Sequence, residues 1–242
     1  MSEKKYLIHV VIFSAVVLLS AIILSSTWRA NASSNQNLTV TGSAVKDIVS
    51  DLGVLRGSIV AYAPTAVEAF RILNRQRPIL MKYLEANGFP TGEVNQFAIT
   101  STAAFRLSET GIPTNIIDGY YYNQRFEIRS KDVNLIQKIS LDISSLIEEG
   151  VNFSVEAPEY YYTNLADVKI AIQAEAAKDA LTRAEKIVEA TGRKLGDLIS
   201  ARMGVLQITP KNSNMISDFG INDVSSIEKQ ITGVVSASFT IK

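Results

Sequence analysis

From about Asn164 to Thr191 the chain reads as one long helix, and its side chains restrict what it can pack against. Ile170, Ala174, Ala177, Leu181, Ala184 and Val188 recur at spacings of four and three, a narrow seam of mostly small residues. Small side chains let a helix lie close to its neighbour. Glu175, Lys178, Asp179, Arg183, Glu185, Lys186 and Glu189 fall on the other side, with Asp179 and Arg183 four apart as an ion pair. Gly192 supplies the stop signal.

The surface for that helix comes from period-two segments. Leu38, Val40, Gly42 and Ala44 alternate with Thr39, Thr41 and Ser43, as in a half-buried strand, and "DLGVLRGSIVAYA" follows as a second. Pro64 leads into a helical segment ending near Gly88, with Pro78 either kinking it or starting a second helix. A strand from Val94 to about Leu107 and the turn-rich "SETGIPTN" precede another strand. A helix from about Asp132 to Glu148 then carries Ile136, Ile139, Ile143 and Leu146 on one stripe. Strand, helix and strand in succession predict a crossover joining parallel strands. Strands from about Ile199 to Ile208 and through "GVVSASFTIK" complete the chain, with a polar loop from Pro210 to Ser226 between them. The fold class is α+β, long helices packed on mixed β-sheet.

Six of the nine tyrosines occupy two triplets, Tyr120 to Tyr122 and Tyr160 to Tyr162. In the first, Tyr120, Tyr122, Phe126 and Ile128 share one strand face, and Tyr121, Asn123, Arg125, Glu127 and Arg129 share the other. Tyr120 and Tyr122 are expected in the core. Tyr121 and Arg125 are candidate interface residues, because a tyrosine among charges is buried more readily by another subunit than by the monomer core. Tyr160 and Tyr162 are candidates too, although Pro158 disturbs the register and leaves their faces unassigned. The triplets are expected at opposite strand ends, about 30 Å apart, too far for a single pocket.

The N-terminus carries a different signal. From Tyr6 to Ser25 no residue is formally charged, a run long enough to span a hydrocarbon core of ~20 residues. Residues 1–29 are therefore expected to be a membrane anchor or uncleaved signal, 30–37 a polar linker, and 38–242 an extracytoplasmic domain. Cleavage after the small-x-small triplet Ala30 to Ala32 is the rival, giving a secreted or periplasmic protein.

Composition removes several function classes. Lysine plus arginine equals aspartate plus glutamate at 24 each, which gives no footprint for nucleic acid. Cysteine is absent and the one histidine, His9, lies in the apolar run. A serine-histidine-aspartate triad, a histidine or cysteine zinc site and a histidine base are thereby excluded from the exported part, and no cofactor or metal is expected. Carboxylates remain for a glycoside hydrolase: Asp118, Glu148, Glu149, Glu156 and Glu159. Their plainer reading is helix end, polar strand face and turn.

"AAKDALTRAEKIVEATGRKLG" from Ala176 to Gly196, "LTVTGSA" near the start, the "GY" of Gly119 and Tyr120, and the closing short-residue strand occur in an order that resembles the bacterial SIMPL-domain family, across residues 38 to 242. The resemblance implies an exported, envelope-associated α+β protein with no catalytic residues to carry over. It also implies relatives linked to stress tolerance or assembled into rings.

The expectation is thus a non-enzymatic, membrane-tethered, extracytoplasmic structural or interaction protein, anchored through its N-terminal helix, self-assembling into a homo-oligomer and tied to envelope stress. An envelope protein or a glycan is its further partner. The alternatives are a glycan-binding module using exposed tyrosines and, behind it, the carboxylate hydrolase.

Overall fold

The structure is a computed structural model that describes residues 13, 14, 16–25 and 37–242. After an N-terminal helical stretch its elements are β1 (Asn37–Val49), β2 (Leu52–Ala63), α1 (Ala66–Ala86), β3 (Asn95–Leu107), β4 (Pro113–Ser130), α2 (Val133–Asp142), β5 (Phe153–Val155), β6 (Glu159–Tyr161), α3 (Leu165–Ala190), β7 (Leu195–Met203), β8 (Gln207–Pro210), β9 (Ile221–Asn222) and β10 (Glu228–Ile241). Two compact units arise: the described residues up to Val45, with Asp167–Leu206 and Thr232–Lys242, form one, and Lys46–Ala166 with Gln207–Ile231 the other.

The expected transmembrane helix is corrected. Among the described residues no helix is long and apolar enough to cross a membrane. The membrane tether, the membrane as partner and the single-pass location lose their basis with it. Residues 1–12, 15 and 26–36, which include the Ala30 to Ala32 triplet, lie outside the described residues.

In the first unit, β10 pairs with β1 and, antiparallel, with β7, where Ala237 faces Ala201. Helix α3 buries Val168, Ile172, Ala176, Ala180, Ala184 and Val188. This corrects the expected seam: Ile170, Ala174, Ala177 and Leu181 are exposed, and the buried stripe recurs every four residues throughout. A four-residue ridge runs obliquely around a helix, whereas alternating threes and fours hold one straight face. The closest approach is at Gly42, where a Cβ would stand 2.2 Å from the Ala180 amide nitrogen and 2.3 Å from the Ala176 carbonyl oxygen. Asp179 accepts hydrogen bonds from the Ser43 backbone N–H and from Arg183 Nε, each at 2.8 Å, tying β1 to the helix.

In the second unit, an antiparallel sheet has the order β3-β4-β2-β5, and β6 also pairs with β2. Helices α1 and α2 pack on β2 and β4, burying Leu55, Ile59 and Ile128 against Leu73, Leu80, Ile136 and Ile139. The stripe read in the sequence continues through Ile143 and Leu146 in the 3-10 turn after α2. Helix α1 is one helix with Pro78 inside it. Its N-cap Thr65 accepts from the Glu68 backbone N–H, satisfying an orphan donor, and the Thr65 hydroxyl donates to the Glu68 carboxylate. Because β2 runs antiparallel to both β4 and β5, those two are parallel to each other, but β2 lies between them.

Candidate binding surface

Strict alternation along β2 and β4 sends one set of side chains to the helices and the other to the open face. On the open face Val54, Arg56, Ser58, Val60 and Tyr62 stand opposite Arg129, Glu127, Arg125, Asn123 and Tyr121. That β4 set is the one read as the polar face in the sequence. The core side of β4 carries Gln124, Phe126 and Ile128, which are buried, and Tyr120 and Tyr122, which are half-buried.

One end of the open face is ionic. Arg56 donates through Nε to Glu127 at 2.7 Å and through Nη1 to Glu159 at 2.6 Å. Arg129 Nε reaches the second oxygen of Glu127 at 2.8 Å, and the Tyr161 hydroxyl donates to Glu159 at 2.5 Å. Burial pushes the Glu127 carboxyl up, but the hydrogen bonds from Arg129 and Arg56 outweigh it and hold the group below the usual carboxylate range. The hydrogen bonds from Tyr161 and Arg56 lower Glu159 as well. A general acid needs the opposite shift. Glu156 pairs with Arg125 at 3.2 Å, Asp118 pairs with Arg106 at 3.2 Å, and Glu148 and Glu149 are exposed after the 3-10 turn.

The other end is aromatic. Tyr62 and Tyr121 face each other in register, ring centroids 4.9 Å apart and tilted by 43°. Tyr62 lies across Gly119, where a Cβ would come within 2.6 Å of its ring. The hydroxyl donates to the Asp118 carbonyl oxygen at 3.2 Å and to Oδ2 at 3.3 Å. Partial desolvation and the Asp118 charge raise its pKa above the ordinary tyrosine value. Both rings remain accessible.

Beyond these tyrosines β3 and β4 continue past the end of β2. Pairing of β2 with β4 ends at Ala63 and Tyr120, yet β4 begins at Pro113 and β3 runs to Leu107. The resulting ribbon exposes Phe105, Leu107, Ile112, Ile116 and Ile117. Ile116 is 55% and Ile117 48% exposed, and they lie where the β3–β4 register shifts, on either side of the Phe105–Ile117 pair. The ribbon is therefore an exposed run of apolar side chains. Phe97, also exposed on β3, has the Arg125 guanidinium 6.0 Å from its ring centroid.

The four candidate residues do not converge. Tyr121 and Arg125 share the open face, whereas Tyr160 is 3% exposed in the core cluster. Tyr162 is half-buried and, with Tyr160, lines a cavity of about 70 Å³ beside Lys229 and Asp223. Tyr121 is opposite Tyr62 and Tyr161 opposite Leu52, so the triplets sit at opposite ends of β2. Tyr62 and the Arg56 cluster went unread in the sequence, though the alternation of "DLGVLRGSIVAYA" placed both residues on one face. Among the described residues no group of three or more His, Cys, Asp or Glu is placed to hold a metal ion.

Comparison with known families adds the decisive observation: residues 38–239 match the SIMPL family, described as a protein of unknown function (DUF541). The chain belongs to the SIMPL family. No curated protein matches it. Among solved structures, a Burkholderia cenocepacia protein with the provisional description amidohydrolase/peptidase is 16% identical over 51% of this chain and 29% of its own length, with a TM-score of 0.21. That likeness carries no argument, and this chain spans under a third of that protein. In this SIMPL domain the opening "LTVTGSA" contains Gly42, the alanine-rich stretch is α3 packed on it, and the "GY" glycine is where Tyr62 crosses β4.

Proposed function

We propose that this SIMPL domain is a non-catalytic binding module whose working surface is the projecting β3–β4 ribbon with the Tyr62–Tyr121 end of the open face. The observation that carries the reading is the exposure of five large apolar side chains on the ribbon, Phe105, Leu107, Ile112, Ile116 and Ile117. Contiguous exposed apolar surface of this kind marks an interaction site. The carboxylates on the open face favour binding over catalysis, since Glu127, Glu156 and Glu159 are each occupied by arginine.

A glycan reading rests on the two accessible tyrosines. Their 43° tilt denies a ring-shaped ligand a flat two-ring platform, and it leaves the aliphatic ribbon unused. A protein partner uses both.

The test is site-directed photo-crosslinking in cells, with a benzophenone amino acid at Ile116 and, as control, at Leu141, an exposed residue of α2. The reading expects a discrete adduct from position 116 and none from 141. Equal labelling, or none at 116, removes it.

A further inference from the structure

The ribbon also offers a backbone edge. In the sheet order β3-β4-β2-β5, β3 is terminal, whereas the free side of β2 is taken by β5 and β6. An edge strand presents unpaired N–H and C=O groups, which proteins usually guard with charge, proline or bulges. From Asn95 to Phe105 β3 has no charged residue and no proline. Bulges occur only toward its ends, between Gln96 and Ile99 and again after Ala104. Ile99 to Ala104 is thus an unguarded, regular window.

Resting on the binding-module reading, we infer that the partner is an extended polypeptide segment that adds to β3 as a further strand, uncharged where it passes Ile99 to Ala104. Charge complementarity sets that composition. The window offers Thr100 and Thr102 on the open face and Ile99, Ser101 and Ala103 on the other, with no cation to receive an acidic side chain and no anion to receive a basic one. Threonine and β-branched apolar residues match it, as cross-strand neighbours. An added strand continues the sheet at this edge, and its main-chain hydrogen bonds supply the affinity.

The test uses the full chain and an acetylated, amidated peptide of four Thr-Val repeats, read by amide hydrogen exchange. The peptide is expected to slow alternate amides within Ile99–Ala104 by about tenfold or more. The same peptide with glutamate for threonine, an amphipathic helical peptide and an N-acetylglucosamine oligomer are expected to leave them unchanged. Thr100→Pro and Ser101→Pro separate the two edges, because one removes an outward N–H and the other a ladder N–H. One variant should keep its circular dichroism and lose the peptide effect; the other should be destabilised.

Unchanged β3 amides at saturating peptide overturn the inference. So does protection by the oligosaccharide at Tyr62 and Tyr121, or protection without peptide that grows with protein concentration, the mark of a second copy. If crosslinking from Ile116 succeeds while β3 amides stay fast, strand addition falls and the binding module stands. If both fail, both fall.

Discussion

Gly42 of β1 and Ala180 of α3 meet backbone to backbone, so close that a Cβ on the glycine would stand 2.2 Å from the alanine nitrogen. Neither partner can yield by turning a side chain. Gly42→Val is expected to separate strand and helix, and Ala180→Leu, at a fully buried position, to cost at least about 1–3 kcal/mol by overpacking. Ala177→Leu, on the exposed side, should stay within about 0.5 kcal/mol. Urea denaturation checks all three, and equal losses at 177 and 180 would show the stripe to be misplaced.

This contact also explains why local periodicity selects the wrong face of α3. Alanine occurs at 171, 174, 176, 177, 180 and 184, so several rotations of the helix present nearly the same apolar stripe. What selects 176 and 180 is a glycine more than 130 positions earlier. Where hydrophobic contrast was strong, as at Ile136, Ile139 and Phe126, local periodicity located the core. The Arg56 cluster joins β2, β4 and β6, a pairing that no local pattern contains. Tyr160 followed Pro158, and its face depended on pairing with Gly53.

The ion cluster makes stability fall on acidification. Glu127 and Glu159 have folded pKa values below their ordinary ones, so their contribution is complete above the unfolded value of about 4.3. It is lost as pH falls through the folded values. Glu127→Gln should therefore be less stable than wild type at pH 7, by about 2 kcal/mol for a nearly buried charge-assisted hydrogen-bond acceptor. The gap should close toward pH 3. A gap that is constant across denaturation curves from pH 7 to pH 3 would separate the cluster from acid sensitivity.

Gly119 controls the tyrosine pair without touching the core. Gly119→Ala puts a methyl group where the Tyr62 ring lies, and should free that ring from Asp118 and Tyr121 while circular dichroism stays unchanged. The raised Tyr62 pKa should return toward the ordinary tyrosine value, as an ultraviolet pH titration would show. Asp118→Asn should move it the same way by removing the neighbouring charge. Phe126→Ala on the core face should instead cost about 3–5 kcal/mol. A titration curve unchanged in Gly119→Ala would mean that the ring position does not depend on the missing side chain.

Lys229 is 2% exposed, and its ammonium donates to the Tyr160 carbonyl at 2.6 Å and the Asp223 carbonyl at 2.5 Å. It shares the strand parity of Ile231, Gly233, Val235, Ala237 and Phe239, so β10 turns a lysine inward with its apolar residues. Desolvation lowers its pKa more than the attraction of Asp223 raises it. In the window between the lowered folded value and the unfolded value of about 10.4, the unfolded chain binds more protons, and stability therefore rises with pH there. Lys229→Met keeps the length of the side chain but abandons two buried carbonyls, each costing about 1–3 kcal/mol when left without a partner. The variant should be less stable at neutral pH and should lack the rise toward alkaline pH. Thermal denaturation from pH 7 to pH 10 measures both, and parallel curves for the two proteins would mean that the Lys229 amine titrates as it does in the unfolded chain.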